Sequence, residues 1–193
     1  MNFGMKINLV IHSWLLTTHC LLADTPQLTI DNIFTITNKP VIVNFQEKKT
    51  FSILERTLII NGQLQYIPPQ TLIRYEDNSQ QMSYHIEANK VSIWQGNKIQ
   101  RQMNLAYLPE LAEFANTLRA LLAGDVSFLE QIYTLTLNGT FINWQLELKP
   151  KSIHLGQIIS KVRLTGKEKK IRSVETIEYN GNNSYLVLLS DAK

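Results

Sequence analysis

LIINGQLQYIPPQTLIRYED, residues 58–77, decides the fold class. Leu58, Ile60, Gly62, Leu64 and Tyr66 alternate with Thr57, Ile59, Asn61, Gln63 and Gln65. A period of two puts the first set on one face of a strand and the second on the other. Pro68 and Pro69 then interrupt the run, since proline has no amide hydrogen to give to a ladder. They read as the point where a strand ends and the sheet opens. The chain resumes in an apolar stretch that holds one fixed charge, Arg74, between Ile73 and Tyr75.

The same alternation continues outward. Tyr84, Ile86 and Ala88 alternate with Ser83, His85 and Glu87. Ile142, Trp144, Leu146 and Leu148 alternate with Asn143, Gln145 and Glu147. One apolar and one polar face is the mark of antiparallel strands with one wet side. Turn residues at 88–90, 95–97, 138–139, 166–167 and 180–182 separate the runs. Strands are predicted at 41–51, 58–67, 71–77, 82–88, 91–95, 98–103, 132–138, 140–149, 157–166, 170–179 and 184–190, a meander of about eleven.

Two segments depart from this period. LPELAEFANTLRALLAGD, residues 108–125, places Leu111, Phe114, Ala115, Leu118, Leu121 and Leu122 at spacings of three and four. That is one apolar stripe on a helix. Pro109 suits its first turn and Gly124 its C-terminal cap. A further helical turn is expected in 127–131. A short N-terminal helix is expected over 26–36, with Thr25 as its cap, although its β-branched content argues against it. One long helix cannot cover eleven strands laid flat. A sheet curled around it can, so the expected fold is mainly β, an incomplete antiparallel β-barrel of about eleven strands with a helical lid.

Composition bounds the function. The chain has 193 residues, 44% of them hydrophobic, which suits one domain with a sizeable core. Formal net charge is +3, too small an excess to call for nucleic acid. The basic cluster Lys167, Lys169, Lys170 and Arg172 reads as a solvated turn. Residues 1–23 combine an early Lys6, an apolar run and Ala23 before Asp24. They read as a secretory signal peptide, with an uncleaved anchor as the alternative. Residues 24–193 then form a single domain. The only cysteine is Cys20, and Thr17-Thr18-His19 before it does not suit lipidation. A processed chain would carry no thiol and no disulfide.

No catalytic signature is present. His85 should face solvent from its strand and His154 falls in a loop, so neither has zinc-site spacing. Glu175 and Glu178, three apart on a strand, face opposite ways. No nucleophile elbow or phosphate loop occurs. No metal, cofactor or enzymatic activity is expected, and a lipid-ester hydrolase is the weakest of the readings.

Phe45-Gln46-Glu47-Lys48-Lys49 is followed by Gly62 to Tyr66, and by Pro69, Leu72, Arg74 and Tyr75. Then come the helix ending at Leu118 to Asp125, Trp144 to Pro150, and Ile171 to Glu175. This order of features resembles the periplasmic LolA-like lipoprotein carriers, in their divergent branch. The resemblance implies a half-open barrel whose interior holds acyl chains, working as a monomer in the periplasm. Its partners would be an acylated cargo, an inner-membrane transporter and an outer-membrane acceptor. Burying a sixteen-carbon chain is worth about 10 kcal/mol before ordering costs. On this reading the cavity and lid are lined by Leu64, Tyr66, Leu72, Arg74, Tyr84, Ile86, Ile93, Leu111, Phe114, Leu118, Leu122, Trp144 and Leu146. Alternating strand hydrophobics are also ordinary core. The resemblance further implies an arginine directly before the turn proline, tying lid to barrel; here Pro68 stands in its place. Arg74 either takes over part of that work or faces solvent and pairs with Glu76 or Asp77. Arg119 on the helix reads as solvated. The competing function is a binding or sensing module of the envelope with the same architecture and no lipid.

Overall fold

A computed structural model describes residues 27–34, 38–53 and 56–189. The proposed signal peptide, and residues 26, 35 and 36 of the N-terminal helix expected over 26–36, lie outside the described residues. Eleven antiparallel strands form one sheet: β1 (Val41–Phe51), β2 (Arg56–Ile67), β3 (Thr71–Glu76), β4 (Met82–Glu87), β5 (Lys90–Gln95), β6 (Lys98–Asn104), β7 (Tyr133–Gly139), β8 (Trp144–Pro150), β9 (Ile159–Lys167), β10 (Lys170–Glu178) and β11 (Asn183–Leu189). Their order is β6-β5-β4-β3-β2-β1-β11-β10-β9-β8-β7. The sheet is therefore a meander whose last strand pairs with its first, while β6 and β7 remain edges. It curls without closing, as expected.

The phase read from the alternation holds in the second half of β2 and in β8, but not throughout: Leu58 is exposed and Ser83 of β4 is buried. In β2 Gly62, Leu64 and Tyr66 are buried. In β8 Trp144, Leu146 and Leu148 are buried, between half-buried or exposed polar residues. The wet face carries a charge ladder across β8, β9 and β10. Arg163 lies 2.7 Å from Glu175 and 3.7 Å from Glu147, and Lys161 reaches Glu147 at 3.3 Å. Cross-strand pairs of this kind are modest stabilisers but specify register. Register sets two close approaches. A side chain at Gly166 would strike the Trp144 ring at 2.0 Å, and one at Gly62 would strike the Tyr75 carbonyl oxygen at 2.0 Å and the Phe45 ring at 2.9 Å.

Among the described residues four α-helices accompany the sheet, α1 (Ile30–Ile33), α2 (Pro109–Ala123), α3 (Val126–Ile132) and α4 (Ile153–Gly156), with one 3-10 turn at Leu105–Tyr107. Proline starts α2, and Gly124 ends it in the left-handed region at φ 72°. Asp125 then caps α3, its carboxylate accepting from the Phe128 amide.

Four expectations are corrected. The described N-terminal helix is a single turn, capped by Thr29 instead of Thr25, because the Thr29 side chain accepts from the Asn32 amide and starts the turn there, and Phe34 returns to extended backbone. His154 lies in α4, where Ser152 caps the turn by accepting from the Leu155 amide. Strand β8 begins at Trp144, because Thr140 and Asn143 exchange backbone hydrogen bonds and close a turn after Gly139. The prolines sit in the tight turn between paired neighbours β2 and β3. They end a strand, but the sheet opens elsewhere, at β6 and β7.

The interior divides in two. Toward β7–β9, Trp144, Leu146, Leu148, Leu155, Val162 and Leu164 pack with Ile33, Leu129 and Tyr133 into a filled core. Toward β2–β5, a smaller cluster of Tyr66, Leu72, Ile86, Val91 and Leu105 packs on Ala115 of α2. Space is left between them.

Candidate functional site

The space under α2 is a cavity of about 400 Å³. Leu64, Leu72, Tyr84, Ile86, Val91, Ile93 and Met103 wall it from β2–β6. Val162, Ile171, Val174, Leu186 and Leu188 wall it from the opposite limb, and Leu111, Leu118, Leu121 and Leu122 roof it. Strands β3, β4, β5 and β11 contribute alternate residues, so a period-two sequence makes a continuous wall. The stripe of α2 supplies the roof because its three-and-four spacing keeps those leucines on one side.

Nine of the thirteen residues expected at the site line this one cavity: Leu64, Leu72, Arg74, Tyr84, Ile86, Ile93, Leu111, Leu118 and Leu122. Trp144 and Leu146 do not; they lie in the filled core, with the Trp144 indole donating to the Glu168 carbonyl at 2.7 Å. Their alternation is the same, and only the packing of α1, α3 and α4 against β7–β9 separates core from cavity. Tyr66 is also displaced. It is buried beside α2, and its hydroxyl donates to the Pro69 carbonyl at 3.2 Å. The side chain of Phe114 lies outside the described residues. The lining not expected at the site comes from Val91, Met103, Thr117 and Leu121 on β5, β6 and α2, and mostly from β1, β9, β10 and β11. The pairing of first and last strands brings the latter in, and no local pattern signals it.

One polar cluster interrupts the apolar wall. Arg74 does not face solvent. Its Nη2 lies 2.6 Å from Glu47, its Nε lies 3.1 Å from Glu76, and its guanidinium stacks 4.6 Å above the Phe45 ring. Glu47 is only 8% exposed at the side chain and also accepts from the Ser184 hydroxyl. Tyr84, directly across from Arg74 on β4, has its hydroxyl pKa raised by burial and, less, by Glu76, with Arg74 opposing. The pairing with Glu76 matches one reading of the sequence. The inward direction and the partner Glu47, from a distant strand, do not follow from it. His85 lies on the opposite face of β4, half-buried between the rings of Tyr75 and Trp94 at 5.9 and 5.4 Å. It is thus more covered than a solvent-facing residue, and burial lowers its pKa, with Glu87 opposing.

Two contacts fasten the roof. On one side the buried Thr117 hydroxyl meets the Tyr133 hydroxyl at 2.7 Å while donating to the Glu113 carbonyl. On the other, Arg119 reaches from α2 to the turn between β4 and β5. It donates to the carbonyl oxygens of Ala88 at 3.1 Å and Ile86 at 3.5 Å, and to the Asn116 side chain at 2.9 Å. Burial lowers its pKa, with Tyr66 opposing, and its Nε is buried without a partner. Arg119 is thus a strap and not a solvated residue. Replacing Arg119 with leucine removes three charge-assisted bonds, of which the one of ordinary length that ties α2 to the sheet, to the Ala88 carbonyl at 3.1 Å, is worth about 1.5 kcal/mol at this partly exposed site. The expected result is release of a bound acyl probe accelerated about tenfold, with the melting temperature changed by only a few degrees. Stopped-flow displacement checks this; an unchanged release rate would leave Arg119 a packing residue.

Among the described residues no group of three His, Cys, Asp or Glu side chains could hold a metal ion. No described helix is long and apolar enough to cross a membrane.

No curated protein matches the chain. Among solved structures, a LolA superfamily protein from Nitrosomonas europaea is similar, at 10% identity and a TM-score of 0.41, over 83% of this chain and 88% of that one. The family model described as outer membrane lipoprotein carrier protein LolA-like matches residues 25–193. The chain belongs to this LolA-like family.

Proposed function

We propose that this protein is a periplasmic, non-enzymatic carrier. It would hold the acyl chain of a lipoprotein or another acylated lipid under α2 and move it between membranes. The observation that carries this reading is the cavity itself. Its roughly 400 Å³ falls within the 300–1,000 Å³ usual for small-molecule sites. Its lining is aliphatic apart from the Arg74 cluster and a few hydroxyls. A wholly structural interior would be close-packed, without a space of this size. An acyl chain asks for such a space: it gains roughly 0.8 kcal/mol per buried methylene and needs no directional partner. A carrier must also release its load, and a roof held by few polar contacts can open where a continuous core cannot.

The test is solvent extraction of the protein purified from cell envelopes, followed by mass spectrometry of the extract and titration with a fluorescent fatty acid. Co-purified acyl lipid, or saturable uptake at one site, is the expected result. An empty protein that also ignores the probe would remove the carrier reading and leave the envelope binding module.

A further inference from the structure

The turn between β9 and β10 brings Lys169, Lys170 and Arg172 to the rim of a second, apolar groove of about 490 Å³. Phe34 and Val43 form part of its wall. Leu121, Leu122, Ile171 and Leu188 line both this groove and the central cavity, so the two spaces share a wall. No acidic residue lines the groove, and the three exposed cations have no ion-pair partner among the described residues. Pairing of β10 with β9 slips between Ile171 and Ser173, leaving Arg172 out of the ladder. Such a bulge re-aims a side chain.

We propose that this groove seats the anionic head group, a phosphate or carboxylate, of an amphiphile whose chain passes over the shared wall into the central cavity. The inference rests on the carrier reading above and adds the class of head group. Guanidinium and ammonium groups beside an apolar channel match a charged head on an apolar tail. The other polar end of the cavity suits such a head poorly. Arg74 there is already bonded to two carboxylates, Glu47 and Glu76, so an added anion would meet net negative charge. Val43 at the groove and Glu47 stand four positions apart on β1, about 13 Å along a strand. The chain therefore enters tail first, and its head stays at the basic rim. Taken as sequence, the cluster reads as a solvated turn, because nothing local shows that the groove lies beside it.

The test compares cis-parinaric acid with its methyl ester, which has the same chain and no charge. Both are titrated against the full chain at low salt and mildly alkaline pH. The wild type should bind the acid at least about fivefold tighter than the ester, a preference that salt erases. The triple variant Lys169→Glu, Lys170→Glu, Arg172→Glu should lose about tenfold for the acid and little for the ester, as three modest surface charges compound. A triple glutamine variant should fall between, and circular dichroism reports whether each variant is folded. Equal losses for both probes, or unchanged affinity for the acid, would overturn the proposal while leaving the carrier reading standing. If the wild type binds neither probe, the carrier reading itself fails and the proposal with it. Sedimentation with phosphatidylglycerol vesicles separates the remaining source of anionic charge. If the variant keeps its preference for the acid but no longer binds vesicles, the rim reads a membrane surface, and the proposal is overturned.

Discussion

Filling the cavity with Ile93→Trp and Val174→Trp together is expected to weaken acyl-probe binding about a hundredfold in a protein that still folds. The two side chains face the same space from separate limbs of the sheet, β5 and β10. Two indoles there would exclude about four methylenes of a bound chain. At roughly 0.8 kcal/mol each that is about 3 kcal/mol, or two orders of magnitude in affinity. Overpacking a filled core costs about 1–3 kcal/mol, but here the added rings enter empty volume, so the melting temperature should hold or rise. Fluorescence titration and a thermal melt on the same sample check both halves. A stable double variant with wild-type affinity would mean that the chain binds elsewhere.

Arg74→Leu is expected to lower stability by about 2–3 kcal/mol, below the 3–5 typical of breaking a fully buried pair, because Arg74 keeps 24% exposure. In a domain of this size that is roughly a 5–10 °C drop in melting temperature. The cause is the charge left behind. Glu47 would stay 8% exposed in an apolar wall with only the Ser184 hydroxyl to offset it. The double variant Glu47→Gln, Arg74→Leu should therefore recover part of the loss, since it removes the stranded carboxylate. A double variant no better than the single one would mean that stacking on Phe45, and not charge, makes Arg74 matter. The contrast with Arg119 is clear in this respect: Arg119→Leu acts on the rate of release, Arg74→Leu on the stability of the wall.

The strand run from Val41 was legible because a strand shows its period of two in its own residues. The long helix was legible because leucines at spacings of three and four can share a side only on a helix. Misreadings gathered where the answer depended on a distant partner. Trp144 and Leu146 alternate as cleanly as Leu64 and Ile93, yet one pair is core and the other lines a cavity. Local signals also compete with strand period: the Ser152 cap puts His154 in a helical turn, and the turn closed by Thr140 and Asn143 delays β8 to Trp144. Arg74 was recognised as unusual, but its main partner, Glu47, stands 27 residues earlier and meets it only through the register of β1, β2 and β3.

By itself the sequence determined the period of each element, hence a mainly β chain with one amphipathic lid, and enough ordered features for a LolA-like resemblance. Tertiary structure alone decided which apolar faces meet and which stay apart. Pairing of β1 with β11 curls the sheet. The filling of one half by α1, α3 and α4 leaves the other half hollow, and that sets Arg119 on the β4–β5 turn and the basic hairpin beside a groove. The physical reason is that a hydrophobic residue is selected to leave water, and its identity carries no record of whether a neighbour or an empty space awaits it.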